Sequence, residues 1–157
     1  MNILVLGLGN TTVSVLLEAI LNHEGGRRVG AWSAGTDPAG RVHPLTLRLL
    51  ADRGIDTTGA RSKPLAEFTE PEAPRMDLVI SVCAGADDCL PAGLRGTPVV
   101  VAWHMPDPGA ADPAAQPAAF AAAFDRLTRQ ALALLALPLE TLATTDLQRE
   151  AARIGRD

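Results

Sequence analysis

A chain of 157 residues with 20% charged side chains and a formal net charge of −4 suits one domain that buries roughly two thirds of its extended-chain surface. Its mild acidity gives no electrostatic basis for binding nucleic acid or an anionic membrane. No apolar run approaches the ~20 residues of a membrane-spanning helix, Met1-Asn2-Ile3 reads as the start of a strand rather than a basic leader, and two cysteines are too few for a secreted disulfide scaffold. The expectation is one cytoplasmic domain over residues 1–157.

In chain order, residues 3–6 form a short β-rich run closed by glycine, and Val13, Leu16, Leu17, Ile20 and Leu21 then recur at helical spacing. This is a strand, a turn and a helix over 13–21. A polar break over 22–28 leads to a second strand at 29–33 and a loop through Gly35-Thr36-Asp37-Pro38-Ala39-Gly40. His43-Pro44 opens a helix, because proline suits a first turn, and Gly54 stops it.

After a loop over 57–64 and a helical turn at 65–68, residues 76–82 make the most apolar strand of the chain, the pattern of a parallel strand covered on both faces. A fourth strand is expected at 98–103 and a proline-rich loop over 105–117. A helix over 118–137 carries Phe120, Phe124, Leu127, Ala131 and Leu134 on one stripe, and a short peripheral helix over 142–154 closes the chain. Alternating strands and helices predict an α/β doubly wound domain with ligands beyond the carboxyl ends of the strands.

The loop after the first strand is Gly7, Leu8, Gly9, Asn10, Thr11, Thr12, Val13 and Ser14. Such a turn presents backbone N–H groups to an anion, yet it also fits a structural strand-to-helix connection. It holds no cysteine, histidine, carboxylate or cation. A dinucleotide site rests on Gly7-X-Gly9 alone, because Thr12 stands at the third glycine position.

Four motifs, Ser33-Ala34-Gly35-Thr36-Asp37-Pro38, Arg61-Ser62-Lys63-Pro64, Asp77-Leu78-Val79-Ile80-Ser81-Val82-Cys83 and Trp103-His104-Met105-Pro106-Asp107-Pro108, resemble in order and spacing the low-molecular-weight protein tyrosine phosphatase superfamily. Within it they look most like thioredoxin-coupled arsenate reductases. The resemblance implies an α/β fold with a four-stranded parallel sheet flanked by helices. It also implies a phosphate loop in which a cysteine attacks the oxyanion, an arginine holds it, and an Asp-Pro aspartate protonates the leaving group. Matching Gly9-Asn10 to the family puts Gly7 at the cysteine position and Val13 at the arginine position, with Asn10, Ser14 and Glu18 in supporting places and Asp107 as the acid.

Glycine carries no nucleophile and valine no bidentate fork, so covalent catalysis through this loop is expected to be absent. Cys83 and Cys89 resemble the recycling pair of the arsenate reductases. The intervening Asp87 and Asp88 oppose thiolate formation. Asp107 serves as an acid or as a turn former, His43 as a helix cap, and His104 as a candidate wall of the pocket. Lys63 reads as a solvated loop charge.

Neither a cofactor nor a metal site is expected. The expected ligand is a small oxyanion such as phosphate, arsenate or sulfate, with thioredoxin, a small thiol or another protein as partner. Two readings follow: an oxyanion-binding or partner-binding pseudoenzyme, and a thiol-dependent arsenate reductase using Cys83 and Cys89.

Overall fold

Four short apolar runs pair side by side in the computed structural model, which describes residues 1–83 and 92–157. They are β1 (Asn2–Gly7), β2 (Gly30–Gly35), β3 (Leu78–Ser81) and β4 (Val99–Ala102), and the helices between and after them are α1 (Val13–Gly25), α2 (Pro44–Asp52), α3 (Gln116–Leu135) and α4 (Thr144–Ile154). The sheet is parallel throughout with order β2-β1-β3-β4, and Leu6 lies opposite both Ala34 and Ser81. Parallel pairing needs crossovers, and helices supply them.

Side chains alternate across each strand. Ile3 and Val5 point into a large core with Leu16, Leu17 and Ile20 of α1, Leu50 of α2, Phe120, Leu127 and Leu134 of α3, and Leu147 and Ile154 of α4. Leu4 and Leu6 point the other way, into a smaller cluster with Ala34, Phe68, Met76 and Val79. The α3 stripe read from the sequence is buried in full.

Several element ends differ from the expected ones, for local reasons. α1 runs on to Gly25 because Asn22 exchanges two hydrogen bonds with the Ala31 backbone (2.8 and 2.9 Å), which pins the helix to β2. It stops where Gly26 takes φ 54°, a conformation that glycine adopts at little cost. α3 starts at Gln116, whose amide donates to the carbonyls of Gly109 and Ala111 at 3.1 Å each.

α4 is less peripheral than its position at the end of the fold suggested. It covers Trp103, which is 0% exposed and donates its indole N–H to Ala151 O at 2.8 Å. Among the described residues no helix is long and apolar enough to cross a membrane.

Candidate functional site

β1 ends at Gly7 and α1 begins at Val13, so residues 8–12 turn the chain at the carboxyl ends of the central strands. The turn is held from behind. Carbonyls of Gly7, Leu8, Gly9 and Thr11 accept from the N–H groups of Thr36 (3.1 Å), Asp37 (3.0 Å), Ala39 (3.0 Å) and His43 (3.0 Å). The hydroxyls of Ser62 and Thr46 donate further bonds to Gly9 O (3.0 Å) and Thr11 O (2.8 Å).

With these carbonyls drawn outward, the N–H groups of residues 8–12 donate to no acceptor among the described residues. Those of Val13 and Ser14 lie in the first turn of α1, where no intrahelical acceptor exists. Thr12 occupies the N-cap but makes no capping bond; its hydroxyl donates instead to Asp107 Oδ1 at 2.8 Å. The donors at the amino end of α1 thus meet no acceptor among the described residues, and the Asp107 carboxylate held by Thr12 is the negative charge set beside that end of the helix.

Beneath the turn lies a buried polar network. Asn10, 2% exposed and at φ 51°, donates its amide to Ser14 Oγ (3.0 Å) and Ser33 Oγ (2.8 Å) and accepts from Lys63 N (2.7 Å). Asparagine tolerates this left-handed conformation better than most residues. Ser33 in turn donates to Glu18 Oε2, and the Lys63 ammonium lies 3.1 Å from that same oxygen and 3.2 Å from Arg61 O.

Lys63 is therefore not a solvated loop charge: it is 4% exposed and ion-paired with Glu18. A buried ammonium needs such a partner. The sequence did carry a signal for this pair. In 13–21 the only polar residues are Ser14 and Glu18, one helical turn apart, so both face the same side.

In front of the turn is a cavity of about 370 Å³, lined by all of residues 7–14 together with Val82, Cys83, Met105, Pro106 and Asp107. The structure thus brings Cys83 and Asp107 to the predicted loop. Asp107 caps the turn at Pro108–Ala110, with Oδ1 accepting from Gly109 N at 2.8 Å as well as from Thr12. His43 caps α2, its Nδ1 accepting from Leu45 N at 3.1 Å, and its ring packs 5.0 Å from Phe120.

His104 does not line this cavity. It is exposed, with Nδ1 2.9 Å from Cys83 O. Cys89, with Asp87 and Asp88, lies outside the described residues. A larger cavity of about 430 Å³, lined by Met1, Asp77, Val99 and others, sits at the opposite, amino ends of the strands.

Gly7 is closely fitted to its surroundings. A Cβ there would lie 2.8 Å from Ser14 Oγ, whose place is fixed by Asn10. Val13, at the start of α1, is 4% exposed and belongs to the large core as well as to the cavity wall. Gly35 is glycine for a different reason: a Cβ would come within 2.5 Å of Leu8 O, where β2 passes behind the turn.

Residues 2–151 match the family model of the low molecular weight phosphotyrosine protein phosphatases. The chain belongs to that family. A relative from Synechocystis sp., described as a glutaredoxin arsenate reductase, is 29% identical over 99 residues, covering 63% of this chain and 72% of the relative. Two solved structures are similar in fold. One is YfkJ from Bacillus subtilis, with TM-score 0.71, 21% identity, and 90% of this chain and 97% of that one covered. The other is an arsenate reductase from Archaeoglobus fulgidus, with TM-score 0.60, 26% identity, and 83% and 98% covered. The four-stranded parallel sheet flanked by helices matches the fold of these structures, as the motifs implied.

Proposed function

We propose that this member of the phosphatase family binds a small oxyanion such as phosphate, arsenate or sulfate in the cradle of residues 7–14, without transferring it, and presents the occupied loop to a protein partner. One observation supports this reading: residues 8–12, whose N–H groups donate to no acceptor among the described residues, line a cavity, and matching Gly9-Asn10 to the family motif would put Gly7 and Val13 at its nucleophile and arginine positions. Backbone donors and the α1 dipole bind an anion. Losing an activated nucleophile removes many orders of magnitude of rate, and without an arginine the developing charge goes unneutralised.

A second reading is favoured by Cys83, which lines the same cavity. There the protein is a thiol-dependent arsenate reductase in which a small thiol or a thioredoxin-like partner supplies the first nucleophile and Cys83 and Cys89 recycle it. Purified protein assayed with para-nitrophenyl phosphate, and with arsenate plus glutathione or thioredoxin, separates the two. The binding reading expects no turnover above background, together with a thermal midpoint raised by phosphate. Arsenate reduction abolished by Cys83→Ser overturns it in favour of the second.

A further inference from the structure

Away from the cradle, α3 and α4 meet at a cavity of about 230 Å³ lined by Arg126, Arg129, Gln130 and Ala133 of α3, Ile154 of α4 and Asp157. Two polar atoms of its lining residues are shut off from water and bonded to nothing among the described residues: the Arg126 Nε, a donor, and Gln130 Oε1, an acceptor. Gln130 is 4% exposed, and its amide nitrogen donates to Ile154 O at 3.2 Å, which ties the two helices together. Positions 126 and 130 are one helical turn apart, so both side chains leave the same face of α3. Buried polar groups are ordinarily bonded, and those that are not mark a place for a water or an ion. The positive charge here is unanswered as well. Arg126 and Arg129, three residues apart, repel each other, and neither guanidinium is ion-paired among the described residues. The Asp157 carboxylate lies 3.5 Å from Arg153 instead.

We propose that this cavity is a second binding site, separate from the cradle, for the anion of a small hydroxy acid: the carboxylate bridges Arg126 and Arg129, and the neighbouring hydroxyl donates to Gln130 Oε1. A planar guanidinium fork matches a carboxylate, and a hydroxyl brings the donor that the amide oxygen lacks. The last torsion of a glutamine is soft, so its oxygen swings to the ligand without moving α3. Two guanidinium groups disfavour an ammonium in the same space, which selects a hydroxy acid over an amino acid. Ile154, 1% exposed, gives the carbon skeleton an apolar wall. The volume lies below the roughly 300 Å³ at which pockets for drug-sized ligands begin, so the skeleton is one of a few carbons.

Nitrogen-15 NMR of the full chain, titrated with lactate and with propionate, which lacks the hydroxyl, follows the Arg126 Nε–H directly. Both anions are expected to shift it saturably, propionate binding about fivefold more weakly, the scale of one neutral hydrogen bond. Arg129→Gln, at an exposed position, is expected to weaken both about tenfold, the scale of a bond to a charged group, and to leave their ratio as it was. Gln130→Met is expected to bring lactate down to the affinity of propionate. Shifts that grow without saturating up to about 50 mM, or an Arg129→Gln variant that binds as wild type does, overturn the site. Equal affinities in wild type, or a ratio that Gln130→Met leaves unchanged, overturn the hydroxy-acid assignment. Shifts confined to residues 8–12 belong to the cradle and count against this site too.

Discussion

The same short turn has two unlike sides. Behind it, almost every polar group is answered: outward carbonyls by four N–H groups and two hydroxyls, Asn10 by Ser14, Ser33 and Lys63, and Glu18 by Ser33 and Lys63. In front, the N–H groups of residues 8–12 donate to no acceptor among the described residues, and these residues line a cavity. The bonds behind hold the turn in one shape, and Leu8, 63% exposed, with half-exposed Gly9 and Thr11, leaves the front open to a guest. Binding sites preorganised in this way spend little free energy on ordering when the ligand arrives.

The comparison is broken most severely from behind. Lys63→Met leaves the partly buried Glu18 carboxylate without its counter-charge and is expected to lower unfolding free energy by about 2–3 kcal/mol, read by urea denaturation. Pairing it with Glu18→Leu should restore much of the loss, because an apolar replacement of both partners leaves no orphaned charge. A single variant as stable as wild type would mean that the pair contributes nothing to the turn.

The next effect is at the seam between the two sides. Gly7→Cys puts a Cβ 2.8 Å from Ser14 Oγ, and relieving that contact disturbs the Asn10 bond, at a cost of about 1–3 kcal/mol. The thermal midpoint of the variant checks this, and an unchanged midpoint would show that Ser14 yields freely.

The smallest effect lies far from both sides. Glu67 beside Arg61, Glu140 beside Arg28 and Glu150 beside Arg153 are held below the ordinary carboxylate value of 4.5 by those guanidinium groups. Each has a lower pKa folded than unfolded, so its contribution is complete above about pH 4.5 and fades as acid titrates the folded carboxylate. These pairs are exposed and weak. The midpoint is therefore expected to be flat from pH 7 to 5 and to decline only below that, with 0.5 M salt shrinking the decline.

Much of this was legible in the sequence, for definite reasons. Strand β1, the turn and α1 were readable because an apolar run, a glycine-rich break and a 3.6-residue repeat are all local signals. The cap formed by His43 was readable from its proline neighbour. Lys63 was misread because its burial is set by Glu18, 45 residues away, and a polar tetrapeptide gives no hint of what folds over it. The roles of Asp107 could not be ranked from Asp-Pro alone. Only the contact with Thr12 across 95 residues shows that the later loop is fastened to the earlier one.

The close fit of Ser14 against Gly7 also bears on how this chain can change. A thiol at position 7 is a single replacement away in sequence, but that first step is uphill because the serine already occupies the space. A route that first shortens residue 14 avoids the clash and gives up an Asn10 bond instead. The order in which two neighbouring replacements occur therefore sets how much stability the intermediate gives up. The loop is easier to leave as it is than to re-equip.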